Sequence, residues 1–353
     1  MNIIEDDVKT IAEGILDLCD ELSGKTILIA GGAGFLGNYF IAVFDYLNKH
    51  KLSKPCRIIS LDNFVTGIRY RIPEGPNFRA VRANIKDTLE VDEHVDYIIH
   101  AAGIASPKFY RELKIETIDV ATQGTKNLLE LAKEKKVKSF LFFSSSEVYG
   151  DPDPNFVPTK ETYNGNVSCI GPRANYDESK RLGETLCIAY YEVYNIPVKM
   201  VRPFNIYGPG MRLDDYRVIP NFTAALLANK PLPVYGSGGH TRTFCYITDG
   251  IIGFLRVLLS EHNGQPFNIG NDQQELTMRE LAELMVKSYG KGTISQIDGL
   301  NDAYSQADPK RRCPDLTKAN KLVEYYPKVK LETGVKRFID WAKTLDAAQM
   351  NKQ

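Results

Sequence analysis

The run Thr26-Ile-Leu-Ile-Ala30 passes directly into Gly31-Gly-Ala-Gly-Phe-Leu-Gly37 and then into a helical pattern over Asn38–Asn48. An apolar strand, a glycine turn and a helix in that order admit few folds. Glycines let the backbone turn tightly and approach a pyrophosphate, and the helix that follows offers free N–H groups and its positive dipole end. The spacing Gly31-x-x-Gly34-x-x-Gly37 is weak evidence by itself. The strand before it and the helix after it make it a dinucleotide loop.

The pattern continues as alternation. Strands are predicted over Arg57–Leu61, Phe78–Arg82, Val95–His100, Ser139–Phe143 and Val198–Val201, with helices over Ile115–Glu134 and Tyr176–Tyr194. Near-continuous apolar strands separated by helices imply an α/β protein built on a Rossmann-type, doubly wound parallel sheet. Such sheets bind ligands at the carboxyl ends of their strands. Beyond residue 205 the alternation gives way to Pro/Gly-rich pieces, Tyr207-Gly-Pro-Gly210, Pro231-Leu-Pro233 and Tyr235-Gly-Ser-Gly-Gly239. The expected division is a helical extension over 1–24, a dinucleotide-binding domain over 25–204 and a smaller C-terminal α/β lobe over 205–347, with some chain crossing between the last two. Residues 5–22 read as one helix stopped by Gly24.

Composition excludes several classes. Forty-four basic residues balance forty-four acidic ones, so no global field draws the chain to nucleic acid or to an anionic membrane. Six cysteines lack metal-ligand spacing, so no metal is expected and a reducing compartment is. The acidic start lacks a basic n-region, and no apolar run reaches the ~20 residues that span a bilayer. A cytoplasmic protein is expected.

Two further segments carry chemistry. Tyr176 and Lys180 lie one helical turn apart, so both face one way. An ammonium beside a phenol stabilises the phenolate, which is then able to take a proton from a sugar hydroxyl as hydride leaves its carbon. Ser145, Ser146 and Glu147 follow the Ser139–Phe143 strand and so face the same cleft, two hydroxyls and a carboxylate beside the reacting carbons. Asp62 ends the second strand, where a carboxylate accepts from a ribose diol and repels a 2′-phosphate, favouring NAD; Arg69 and Arg71 lie near enough in sequence to leave NADP open.

Gly31–Gly37, Asp62-Asn-Phe, His100-Ala-Ala-Gly, Ser145-Ser-Glu-Val-Tyr-Gly150, Tyr176–Lys180 and Arg202-Pro-Phe-Asn-Ile-Tyr-Gly-Pro209 together resemble the extended short-chain dehydrogenase/reductases that act on nucleotide sugars. The resemblance covers residues 25–345. Within that family it is closest to the UDP-glucuronate decarboxylases, through stretches such as Ile170–Arg181, Arg217–Phe222, Thr241–Phe244 and Arg311–Asp315. It implies Tyr176 as base, Lys180 as its activator, Ser145 at the C4 oxygen, Ser146 and Glu147 near C5 and C6, and Arg312 reaching the sugar from the second lobe. It also implies Gly31, Gly34, Phe35, Leu36, Gly37, Asp62, Asn63, Asn84, Ile85, Ala101 and Ala102 around NAD. Asn205, Arg217, Val218, Asn221, Tyr235 and Arg242 would hold the nucleotide diphosphate. The chain departs from the decarboxylases at Ser145, where threonine is usual, and over Asn164–Cys169. Asn84 stands where an aspartate commonly meets the adenine.

The implied chemistry is a hydride cycle. Oxidation at C4 makes a ketone; a C6 carboxylate is then a β-keto acid and loses CO2, and return of the hydride gives the pentose. With a C6 hydroxymethyl group the same ketone acidifies C5–H and water leaves, a 4,6-dehydration. Ser146 fills the position of the acid in the dTDP-glucose dehydratase type, which counts against that type, but the GDP-mannose type carries the same Ser-Glu, so dehydration stands second and Glu147 places C4 epimerisation third. A non-enzymatic NAD sensor would be expected to lose Tyr176 and Lys180. A homodimer is expected through the two long helices; Leu128, Leu129, Leu131, Ile188 and Tyr191 serve either that contact or the intrachain core.

Overall fold

In the computed structural model, which describes residues 2–67, 75–298 and 307–345, one parallel sheet organises the chain. Its strands are β1 (Thr26–Ala30), β2 (Arg57–Asp62), β3 (Phe78–Arg82), β4 (Tyr97–His100), β5 (Ser139–Phe143) and β6 (Val198–Pro203). Four short strands follow, β7 (Ile206–Tyr207), β8 (Leu232–Tyr235), β9 (Thr241–Arg242) and β10 (Cys245–Tyr246), before β11 (Gln265–Ile269) returns to that sheet. The order across it is β11-β6-β5-β4-β1-β2-β3. The chain winds outward from β1 to β3 and then back to β4, so a crevice opens between the carboxyl ends of β1 and β4. Six strands are legible in the sequence; β11 is not. Pro266 breaks its pattern, and an edge strand tolerates a proline that a central strand would not.

The two faces of β1 feed two separate cores. Ile27 and Ile29 pack with α2 (Phe35–His50), and Leu28 and Ala30 join the other side. On that second side, past α3 (Pro107–Glu112), lie α4 (Lys114–Lys135) and α5 (Ala174–Tyr194), packed against each other. Beyond the large sheet comes α6 (Val218–Leu227), while α7 (Ile247–Leu259) goes back to the first face, where Phe254 meets Phe40 and Phe143. Leu128, Leu129 and Leu131 belong to the intrachain core beneath α4, each under 5% exposed. They are therefore not available to a partner; Ile115, Ile118, Leu182, Val193 and Tyr194 are the exposed large apolar positions of α4 and α5.

The extension differs from the single helix expected. A first helix, α1 (Ile3–Glu13), stops at Gly14, and a short 3-10 turn over Cys19–Leu22 leads into β1. Gly14 caps α1, and a Cβ there would meet the tip of the Ile252 side chain at 2.5 Å. Ile11, Ala12, Ile15 and Leu22 are fully buried. Burial of each large aliphatic side chain contributes about 1.5–3 kcal/mol. Asp7, also buried, accepts from Tyr246 at 2.8 Å, Tyr39 at 3.3 Å and the Arg337 guanidinium at 2.7 Å. The extension is part of the main core.

In the second lobe α8 (Met278–Tyr289) opens with a capping box between Thr277 and Glu280. Next to it β12 (Leu276–Thr277), β13 (Ile294–Ile297) and β14 (Arg311–Arg312) complete two small sheets, β12-β9-β14 and β13-β8. The β9–β14 pairing matters most, because its register sets Arg312 directly beside Arg242. Among the described residues no helix is long and apolar enough to cross a membrane.

Candidate active site

The glycine loop is tight for a physical reason. Gly31 adopts φ 84°, and a Cβ there would lie 2.7 Å from the Ala102 backbone. A Cβ on Gly37 would meet the Gly31 carbonyl at 2.2 Å. Gly34 caps α2 without a side-chain hydrogen bond, so the N–H groups of its first turn, Phe35 and Leu36 included, are left to a ligand. Asp62 receives the Ala33 N–H at 3.0 Å and the Phe64 N–H at 2.8 Å, which ties the glycine loop to the end of β2. Burial raises the Asp62 carboxyl pKa, and those two N–H groups pull it back down. Next to it lies a cavity of about 610 Å³ with Asn63, Arg82, Asn84, Leu113 and Glu116 in its walls. Ile85 is buried under Gly124 of α4. A dinucleotide fits these residues: an open helix start for phosphates, a carboxylate at the strand end, and a half-open cavity beyond it. Arg69 and Arg71 lie outside the described residues.

Across the crevice, β5 ends in Phe143 and the chain turns through a short 3-10 segment, Ser146–Tyr149. Ser145 caps it, its hydroxyl accepting the Glu147 N–H at 3.2 Å, and this hydroxyl is near enough to Tyr176 to favour its ionised form. Tyr176 and Lys180 are both buried in the first half of α5. Tyr110 stacks on Tyr176, with ring centroids 4.9 Å apart and planes 14° from parallel.

The electrostatics differ from the expectation at Tyr176. Burial pushes its phenol up to about 12, and the Ser145 hydroxyl counters only part of that. Lys180 donates to the Phe143 carbonyl at 2.7 Å and sits 5.9 Å from the Tyr176 ring centroid. Burial also pulls Lys180 down to about 8, and its ammonium is spent chiefly on that carbonyl. Beneath it, His100 is held neutral, pulled down to about 3 by burial and by the Lys180 charge, with Nε2 against Thr125 at 2.9 Å.

Glu147 is enclosed by guanidiniums. Arg173 donates to its Oε2 at 2.6 Å and Arg312 to the same oxygen at 2.8 Å. Burial raises the Glu147 pKa, but Arg173 and then Arg312 outweigh it, so the carboxyl lies below its ordinary value and is ionised. Arg173 also reaches Asp308 at 3.3 Å, and Asp308 accepts from Arg242 at 2.7 Å. Asp177 lies 3.7 Å from the Arg173 Nε; burial first, and then the Glu147 charge, push it up to about 8. Three arginines from both lobes thus converge on Glu147 and Asp308.

The sequence singles out Glu147, Arg242 and Arg312 from this cluster and misses Arg173, Asp177 and Asp308. Arg173 and Asp177 carry a readable signal, an i,i+4 pair at the start of a predicted helix. Asp308 has none; a return of the chain brings it in. Among the nucleotide-side candidates, Arg217 precedes α6 and is locked to Asp215, with Val218 and Asn221 on the first turn behind it. Asn205 takes φ 43° and donates to the Thr243 carbonyl at 2.7 Å. Tyr235 stands apart at the end of β8, half exposed. No group of three or more His, Cys, Asp or Glu that could hold a metal occurs among the described residues.

Residues 27–270 match the model of the NAD-dependent epimerase/dehydratase family. The chain belongs to that family. It is 39% identical over 315 residues to UDP-glucuronic acid decarboxylase 2 of Arabidopsis thaliana, covering 88% of this chain and 67% of that protein. To UDP-glucuronic acid decarboxylase 1 of Xenopus tropicalis it is 37% identical over 336 residues, 94% of this chain and 76% of that one. Among solved structures, a dTDP-glucose 4,6-dehydratase from Streptomyces venezuelae with NAD bound superposes with a TM-score of 0.80 at 25% identity, over 93% of this chain and all of that one. Both of these relatives by sequence bear the name of UDP-glucuronic acid decarboxylases, and the fold is shared with a dehydratase.

Proposed function

We propose that this protein decarboxylates UDP-glucuronate by an NAD-dependent cycle through a 4-keto sugar. The observation that carries the reading is the charge of the site. The guanidiniums of Arg173, Arg242 and Arg312 converge on Glu147 and Asp308, and planar guanidinium forks gathered at one cleft suit a sugar that carries a carboxylate. The names of the relatives point the same way. A 4,6-dehydration needs an acid for the departing hydroxyl, and Ser146 is a poor one where an aspartate would serve.

The glycine loop and Asp62 would hold NAD, which would supply a hydride acceptor for C4 and the donor that restores it. Tyr176 takes the C4 hydroxyl proton and gives it back, while Ser145 donates to the C4 oxygen. The guanidinium of Arg312 orients the C6 carboxylate in the plane its fork prefers. The C5–C6 bond breaks, CO2 leaves, and its electron pair passes to the C4 carbonyl as an enolate that C5 protonation quenches. Asn205, Arg217, Val218, Asn221, Tyr235 and Arg242 hold the uridine diphosphate.

Burial raises the Tyr176 phenol, and a cationic nicotinamide ring held beside it would favour the phenolate. We also place the protein in the cytosol as a homodimer through α4 and α5, with Ile115, Ile118 and Leu182 as the apolar contacts.

The test is incubation of purified protein with NAD+ and UDP-glucuronate, followed by mass spectrometry. Loss of the mass of CO2 supports the reading. No reaction, together with loss of water from a neutral nucleotide hexose, would replace it with dehydration.

A further inference from the structure

The cavity beyond Asp62 is lined partly by polar groups, and their hydrogen bonds are unevenly used. Asn84 turns its Oδ1 back to the Lys86 N–H at 3.2 Å, a local turn that leaves Nδ2 as the free end of the amide. The cavity therefore receives a donor from Asn84. An acceptor comes from elsewhere. Glu116, on the first turn of α4, lines the same cavity, and its Oε2 takes the Lys86 ammonium. A second carboxylate oxygen remains, and an ionised carboxylate is an acceptor at every lone pair. Lys86 also lies 3.6 Å from Asp119, so the ammonium is anchored on both sides and holds Glu116 in place.

We propose that Glu116 is the residue that selects adenine in the dinucleotide, by accepting a hydrogen bond from its exocyclic amino group, with the Asn84 amide donating to a ring nitrogen. This rests on the NAD reading above. Adenine carries a donor amino group beside acceptor ring nitrogens, so a carboxylate and an amide N–H2 complement it. An aspartate at position 84 would supply the acceptor from the end of β3; here the amide oxygen is committed to the turn and the acceptor is supplied from α4. Hypoxanthine, with a carbonyl oxygen in place of the amino group, sets acceptor against acceptor at Glu116.

The test compares NADH with reduced nicotinamide hypoxanthine dinucleotide, in which a carbonyl oxygen replaces the amino group and N1 carries a proton, by equilibrium binding to the full-length protein with nicotinamide fluorescence. The wild-type protein is expected to bind NADH roughly tenfold or more tightly, the equivalent of leaving one buried polar contact unmade. Glu116→Gln, whose amide presents either a donor or an acceptor, is expected to bring the ratio close to one. In that background Asn84→Asp returns a carboxylate to the cavity and restores the preference for NADH. A discrimination ratio unchanged by Glu116→Gln overturns the assignment, as does a wild-type protein that binds both dinucleotides equally. Failure of the wild-type protein to bind either one would instead overturn the NAD reading itself.

Discussion

Arg173 is the residue whose removal most directly probes the charge arrangement around Glu147. It donates at 2.6 Å to a largely enclosed carboxylate that otherwise keeps Arg312 at 2.8 Å, and it links Glu147 to Asp308. In Arg173→Met the methionine fills most of the space and removes the charge. Two charge-assisted hydrogen bonds are lost, and the short one to Glu147 is worth about 1.5–3 kcal/mol, or roughly 10- to 150-fold in rate if it acts in the transition state. Asp308 keeps Arg242, so the damage centres on Glu147. The sign follows from the direction of its shift. A carboxyl held below its ordinary value by two guanidiniums is ionised through the neutral range and protonates only as the pH falls well into the acid range. With one guanidinium gone, burial opposes a weaker attraction and protonation begins at higher pH. The acid limb of kcat, followed as conversion of UDP-glucuronate by mass spectrometry, therefore moves to higher pH in Arg173→Met and partly back in Arg173→Lys. Glu147→Gln should lack that limb. A drop in kcat with the acid limb unmoved would refute the reasoning, because it would show that Arg173 acts on packing and not on the charge of Glu147.

Other consequences are equally direct. Tyr176→Phe is expected to lower kcat by roughly 10²–10⁴ with little change in NADH binding, read by single-turnover kinetics and fluorescence. Lys199 is buried in β6 with Ser139 as its partner, and burial lowers it from the ordinary 10.5 to about 8. Between those values the unfolded chain binds the extra proton, so the Lys199 contribution makes stability rise with pH by up to about 3 kcal/mol. Urea unfolding of Lys199→Met should lose that part of the rise. Arg337→Met strands the buried Asp7 and is expected to cost about 3–5 kcal/mol in thermal or urea unfolding. Asp7→Asn should cost less, because burial already raises the pKa of that carboxyl against the pull of its partners.

Much of the architecture is legible in local pattern. The strand, glycine loop and helix at 26–50 declare themselves because each element's preference is local: apolar β-formers, φ-permissive glycines, then 3.6-residue periodicity. Tyr176 and Lys180 face one cleft because helix geometry alone sets four-residue neighbours together. Asp62 falls at a strand end for the same reason.

What tertiary structure decided is where distant segments meet and what charge they impose on one another. No local signal shows that β11 joins β6, that Leu128, Leu129 and Leu131 face inward, or that Gly14 packs against Ile252. Nor does any spacing reveal that Asp308, far along the chain, reaches Arg173 and Arg242. The ionisation of Tyr176, Lys180 and Glu147 belongs to the fold as well. It depends on desolvation and on charges brought in from both lobes, and neither quantity exists in the chain until it is packed.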